Sequence, residues 1–195
     1  MSQIYFTTSN KWKFNQAQAY FKQTGIDLEQ FNIELPESRN EEVLEVAREK
    51  ANFAYQQILK PVFVIDAALH IKALNDFPKT YVKFAERYLG AEGILKLLEG
   101  VEDRRWEFLN VLYYRDKAVE KSFTGMISGV FAESMTGEAA YKLRNFEKIQ
   151  IPDGYNKTFT RMTPEEREDF DDKIWKPAVF YQFIQWLLEL DQTNI

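Results

Sequence analysis

The sequence predicts an α/β fold, on three observations. Short strand-like runs alternate with amphipathic helical runs along most of the chain. A central apolar run, Val62-Phe63-Val64-Ile65, ends in a carboxylate, Asp66. Two long strand-like runs flank Arg115-Asp116-Lys117 as the arms of a hairpin.

Taken in order, Gln3 to Thr8 is rich in β-branched and aromatic residues and reads as a first strand. Ser9-Asn10 then caps a helix running from Lys11 towards Thr24, with Phe14, Ala17, Tyr20 and Phe21 on its apolar face and Gly25 ending it. Phe31, Ile33 and Leu35 alternate with polar neighbours as a second strand that Pro36 stops. Between Glu41 and Leu59 the positions Val43, Val46, Ala47, Ala51, Ala54 and Ile58 recur at helical spacing. Val62 to Asp66 follows as a buried strand delivering one acid at its carboxyl end.

Leu69 to Leu74 reads as another short strand, and Tyr81 to Leu98 as one or two short helices broken near Gly90. Tyr81 and Phe84 are expected in the core, since aromatics at helical spacing usually pack inward. Trp106 to Tyr114 and Ala118 to Phe131 form the hairpin. Ala132 to Thr160 has little periodicity. Pro164 opens an acidic helical stretch, and Pro177 to Leu190 is a closing helix with Val179, Phe180, Phe183, Ile184 and Leu187 inward. With no internal repeat and no linker, residues 1–195 are expected to form a single domain.

Composition narrows the chemistry. A net charge of −5 disfavours nucleic acid or an anionic membrane as the main partner, because both want a basic surface. No run reaches the roughly 18 apolar residues of a membrane span, and the amino terminus lacks the pattern of a signal peptide. The absence of cysteine removes disulfides and thiolate chemistry and points to a soluble protein of the cytoplasm. Only one histidine, His70, is present, and a lone histidine near a core strand is more often structural than catalytic. Carboxylates must therefore carry any metal, and such hard oxygen donors suit Mg2+, or Mn2+, better than zinc.

The turn Thr8-Ser9-Asn10 with Lys13 one helical turn on has the chemistry of a phosphate site, because a helix amino terminus offers free N–H groups and positive dipole to which a lysine adds a full charge.

These motifs, in this order, resemble the inosine triphosphate pyrophosphatase family over nearly the whole chain, most closely between Glu45 and Gly129. The residues concerned are Thr7 to Lys13, Leu35-Pro36-Glu37, Glu45 to Ala51 with Lys50, Ile65-Asp66, Tyr81-Val82-Lys83, and Phe123, Gly125, Ser128 and Gly129. The resemblance implies an elongated α/β protein with a long bent mixed sheet flanked by helices, its two lobes sharing the sheet with a nucleotide cleft between them. It also implies a homodimeric Mg2+ enzyme that cuts non-standard purine nucleoside triphosphates (ITP, XTP and dITP type) to monophosphate and pyrophosphate.

On that resemblance Glu37 and Asp66 hold the metal and Asp66 and Lys13 are catalytic. Thr8, Ser9, Asn10, Lys13, Lys50, Lys83 and Arg167 contact phosphate, and Arg144, Phe146, Glu147, Asp172 and Lys173 contact the base. The chain departs from the family pattern in three places. Ile65 replaces the first of two strand-end acids, which removes either a metal ligand or the group that positions the attacking water. Arg144 to Lys148 stands where the family has a base-stacking loop. Arg167 to Lys173 stands where it has a lysine followed by Ser-His-Arg, and Asp171 and Asp172 accept hydrogen bonds but do not donate them when ionised. The alternatives are a nucleotide-binding protein with weakened chemistry, or an enzyme of altered base specificity, on the same scaffold. A third reading is an interaction domain whose closing helix, with Trp175, Phe180 and Trp186, packs on a partner.

Overall fold

The computed structural model describes residues 3–22, 24–138 and 142–193, with the side chains of 142–144 and 191–193 outside the description. One mixed sheet of seven strands has the order β2-β1-β3-β5-β6-β7, with β4 on β3: β1 (Gln3–Thr7), β2 (Asp27–Phe31), β3 (Val62–Ile71), β4 (Pro78–Lys79), β5 (Arg105–Arg115), β6 (Glu120–Phe131) and β7 (Gln150–Pro152). The chain divides into two compact units: Met1–Asp66, Asn110–Gly125 and Lys176–Ile195 form the first, and Ala67–Leu109 and Met126–Trp175 the second. Strands β3, β5 and β6 contribute residues to both. No helix among the described residues is long and apolar enough to cross a membrane.

In the first unit β1 pairs in parallel with β2, Gln3 opposite Asp27 and Thr7 opposite Phe31, and with β3, Phe6 opposite Phe63. Parallel neighbours need crossovers, and α1 (Lys11–Phe21) and α2 (Val43–Ile58) lie in those connections. Asn10 caps α1, its side chain accepting from the Lys13 N–H at 3.1 Å. Of the expected apolar face, Ala17 and Phe21 are buried, while Phe14 and Tyr20 are half-buried. Helix α2 buries Val43, Val46, Ala47, Ala51 and Ala54, and it stops at Leu59, whose φ of 50° is left-handed. The core is aromatic. Phe6 stacks on Phe63 at 4.5 Å, and Phe183 of α6 (Gln182–Thr193) meets Phe63 at 5.0 Å and Phe123 at 5.4 Å. Gly125 lets the helical backbone approach, since a β carbon there would lie 1.6 Å from the Ala178 carbonyl oxygen.

In the second unit β4 pairs antiparallel with β3, and β7 with β6. Helices α3 (Val82–Tyr88) and α4 (Gly90–Leu97) are split at Gly90, whose φ of +61° interrupts the helical path at the expected place. Trp106 is fully buried against Gly129, where a β carbon would fall 2.6 Å from its ring. The Arg104 guanidinium donates to the carbonyls of Leu98, Phe131 and Ala132 at 2.8 to 3.0 Å, tying the end of α4 to the end of β6. The non-periodic segment holds 3-10 turns at Lys142–Lys148 and Phe159–Arg161.

The structure corrects four expectations. The second strand is Asp27–Phe31, and 32–40 forms no strand despite its alternation, because β2 ends where its β1 partner ends. The expected strands at Val62–Asp66 and Leu69–Leu74 are one ten-residue strand, Val62–Ile71, followed by a 3-10 turn at Lys72–Leu74, so Asp66 lies within the strand and not at its end. Phe84 is 54% exposed, because α3 buries Ala85 and turns Phe84 and Tyr88 outward. The closing helices are one helical path, α5 (Pro164–Phe170) passing through π-helical turns at Asp171–Trp175 and Pro177–Tyr181 into α6. Pro177 has no N–H for the bond an α turn would require, and the winding widens beside it.

Candidate active site

At the end of β1 the chain turns through Thr8, Ser9 and Asn10 into α1. The Asn10 N–H donates to Thr8 Oγ1 at 3.1 Å, and Asn10 Oδ1 accepts from Lys13, so the turn is held from both sides of Asn10. Thr8 and Lys13 are half-exposed, and Ser9 and Asn10 exposed. Anions are stabilised at such a turn by the dipole and the free amides of the first helical turn.

Asp66 lies in a half-exposed stretch in the middle of β3. Val62 to Val64 and Ala68-Leu69 are buried, whereas Ile65, Asp66 and Ala67 are half-exposed. Lys50 lies four residues after Val46 and three after Ala47, on the face of α2 turned to the core, so its aliphatic stem runs along apolar surface towards the sheet. Its ammonium donates to Asp66 Oδ2, with side chains 15% and 23% exposed. The structure thus brings together two residues singled out from motifs 16 positions apart.

Glu37 is exposed in the extended segment between β2 and α2. Among the described residues no three histidine, aspartate or glutamate side chains converge to hold a metal. Asp66 and Glu37 are themselves hard oxygen donors, and a small divalent cation needs only one or two carboxylates when phosphate and water complete its shell. The residues fit such a cation on those terms.

In the second unit Lys83 is exposed in the first turn of α3. Glu147 and Arg167 meet at 3.0 Å, and the Arg167 guanidinium lies over Phe159 at 4.5 Å and Phe170 at 5.8 Å. Asp172 and Lys173 are exposed, Lys173 pairing with Asp169 at 2.5 Å, while Asp171 beside them is buried. Asp169 also accepts from the Tyr155 hydroxyl at 2.9 Å. Burial and this bond push the Tyr155 phenol up to about 12, and Lys173 and Tyr155 together hold Asp169 below its ordinary value.

One base-contact expectation changes. Phe146 is 1% exposed, its ring part of the core, so it presents no face to a base. The side chain of Arg144 lies outside the described residues. Glu86, which sequence reasoning passed over, holds this segment: its carboxylate accepts from the backbone N–H groups of Asn145 at 2.7 Å and Phe146 at 3.2 Å, while Asn145 Oδ1 accepts from the Ala91 N–H at 2.7 Å. The only sequence signal for this clamp was a glutamate followed four residues later by Gly90, the position against which Asn145 packs.

These features define a mixed α/β protein in which a strand acid, Asp66 of β3, pairs with a helix lysine, Lys50 of α2, and in which β1 leads into a capped anion-type turn. The sequence profile of the Ham1 family matches residues 4–174, and the chain belongs to that family. The matched span contains every motif from Thr7 to Lys173, which bears out the resemblance drawn from them. Similar curated proteins are the dITP/XTP pyrophosphatases of Saccharolobus solfataricus, 33% identical over 178 residues and 91% of each chain, and of Thermococcus kodakarensis, 33% identical over 184 residues, 94% of this chain and 96% of the other. That of Methanopyrus kandleri is 35% identical over 165 residues, 84% of this chain and 86% of its own. Among solved structures the Staphylococcus aureus Ham1 protein superposes with a TM-score of 0.75 at 22% identity over the whole of both chains. The nucleoside-triphosphatase, or dITP/XTP pyrophosphatase, of Mycobacterium abscessus gives 0.72 at 20% identity, over 90% of this chain and 97% of the other. These likenesses bear out the α/β fold with its mixed sheet flanked by helices.

Proposed function

We propose that this chain is a nucleoside triphosphate pyrophosphatase that hydrolyses non-standard purine nucleoside triphosphates, of the ITP, XTP and dITP type, to the monophosphate and pyrophosphate. The observation that carries this reading is family membership across the span of the motifs, with relatives of that activity at about a third identity over most of both chains.

Within this reading Glu37 and Asp66 would hold a divalent cation, Mg2+ with Mn2+ as substitute, which when bound supplies charge for the polyphosphate and an activated water. Asp66 presents its carboxylate from a half-exposed strand position, and Lys13 and Lys50 neutralise phosphate charge in the first unit. The turn at Thr8 to Asn10 binds a phosphate oxygen. Lys83 and Arg167 are assigned to phosphate, and Glu147, Asp172 and Lys173 to the base, by their places in the motifs. Arg167 enters this role with its guanidinium already shared with Glu147.

One domain of two lobes on a common sheet, a homodimer in solution, and a cytoplasmic site of action complete the proposal. The last is supported by the absence of cysteine.

The test is pyrophosphate release from ITP, XTP, dITP, GTP, ATP and pyrimidine triphosphates with Mg2+, comparing the intact chain with Asp66→Asn. Release from the non-standard purines, lost in the variant, is the expected result. Release from none of them would sink the proposal, and equal release by the variant would remove Asp66 from the chemistry.

A further inference from the structure

We infer that Lys50 is a built-in counter-ion for Asp66 that keeps the carboxylate closed to a divalent cation until a triphosphate arrives, so that cation and nucleotide bind as one event. This device rests on the pyrophosphatase reading above, and three features of the first unit point to it.

The Lys50 ammonium donates to Asp66 Oδ2 where both side chains are largely enclosed, 15% and 23% exposed, so the pair is screened less than one on open surface. The residue before Asp66 is Ile65, and no group of three histidine, aspartate or glutamate side chains among the described residues is placed to hold a metal. A cation arriving alone therefore finds one strand carboxylate whose charge is already met. Lys50 is also not a wandering surface chain, because Val46, Ala47 and Ala51 around it on α2 are buried and fix the direction of its stem.

The balance follows from ligand count. A hydrated divalent cation sheds water reluctantly, and displacing a tethered ammonium from Asp66 to add one carboxylate to Glu37 returns it little. With a triphosphate in place Lys50 moves its hydrogen bond from Asp66 to a phosphate oxygen, an acceptor of greater charge, and leaves the carboxylate open. Phosphate oxygens then complete the coordination that the protein leaves incomplete. Lys50 is thus a positioning residue, setting the order of binding in addition to neutralising charge.

The experiment follows Mn2+ binding by the electron paramagnetic resonance signal of the free ion, on the full chain without nucleotide. It compares the unsubstituted chain, Lys50→Gln, and Lys50→Gln combined with Asp66→Asn. Lys50→Met serves as a second single variant with a stem of similar reach, and circular dichroism confirms that each is folded. Removing the lysine is expected to tighten nucleotide-free Mn2+ binding about ten-fold or more, a change of about 1.4 kcal/mol, and the second substitution to abolish the gain. Equal Mn2+ affinity with and without the lysine would overturn the proposal, as would a gain that survives loss of Asp66. A further titration of the unsubstituted chain with an α,β-methylene analogue of ITP separates this idea from the one it rests on. Failure of the analogue to bind counts against the pyrophosphatase reading, whereas the nucleotide-free comparison judges Lys50 alone.

Discussion

The carboxylate of Glu86 accepts the backbone N–H of Asn145 at 2.7 Å, joining α3 to a turn 59 residues away, and it also accepts the N–H of Phe146. A carboxylate receiving two amides replaces solvent for donors that the burial of Phe146 draws inward. Glu86→Ala is expected to cost about 1–3 kcal/mol, the penalty of half-buried donors without an acceptor. Glu86→Gln, which keeps one acceptor oxygen, should cost less. Urea denaturation checks the order of the three proteins, and faster hydrogen exchange at Asn145 and Phe146 in the alanine variant would locate the loss. Equal stability of all three would show the clamp to be dispensable.

Backbone crowding makes a second expectation. At Gly125 a β carbon would lie 1.6 Å from the Ala178 carbonyl oxygen, and neither strand nor helix backbone yields cheaply. Gly125→Ala should therefore destabilise by roughly 2 kcal/mol or more. Gly100→Ala, where no atom lies within 4 Å of the added carbon, serves as the comparison, its cost confined to the φ of +71°. Similar denaturation midpoints for the two would show that the close approach at Gly125 relaxes.

Leu59 closes α2 with a φ of 50° and is 71% exposed, so it bears the strain of a left-handed cap and buries little in return. Leu59→Gly relieves a conformation costing about 1–2 kcal/mol in an L-residue and adds chain entropy to the unfolded state, for a net gain of roughly 0.5–1 kcal/mol. Thermal unfolding should show a higher midpoint, and a lower one would mean that the leucine side chain contributes packing that exceeds the strain.

Tyr113 and Tyr155 supply the alkaline behaviour. Burial, together with a hydrogen bond to Glu120 at 2.7 Å in one case and to Asp169 at 2.9 Å in the other, pushes each phenol up to about 12. Because the folded value is raised, the stabilisation is complete below the unfolded value near 10 and is lost as pH rises from there through about 12. Absorbance at 295 nm should show a late-ionising fraction that shrinks in Tyr113→Phe and Tyr155→Phe. Ionisation of all tyrosines near pH 10 in the folded protein would contradict it.

Much of the scaffold was legible because local chemistry decided it. The Asn10 cap, the buried stripe from Val43 to Ala54, the break at Gly90 and the hairpin around Asp116 each depend on residues a few positions apart. In the hairpin Asp116 accepts from the Ala118 and Val119 N–H groups at 2.7 Å each. The family was legible from motif order.

What escaped depends on distant partners. Alternation at Phe31, Ile33 and Leu35 is a strand pattern, yet a strand extends only as far as its neighbour does. Asp66 read as a strand end because a carboxylate inside an apolar run is costly, and the cost is met by Lys50, which spacing along the chain does not reveal. Phe84 was misplaced because a single aromatic does not say which side of its helix faces the core, and Phe146 because the family pattern assigned it to the base without showing its burial. Phe84 is exposed and Phe146 enclosed.

Arg104 differs in kind from the ion pairs elsewhere in the molecule. It meets the carbonyl oxygens of Leu98, Phe131 and Ala132, and carbonyl oxygens do not titrate. Acid that discharges the carboxylates, or salt that screens them, leaves these three contacts without a competitor. The joint between α4 and β6 should be the part of the second unit whose integrity is indifferent to the ionic conditions of the solution, a fixed point around which the charged contacts loosen or tighten.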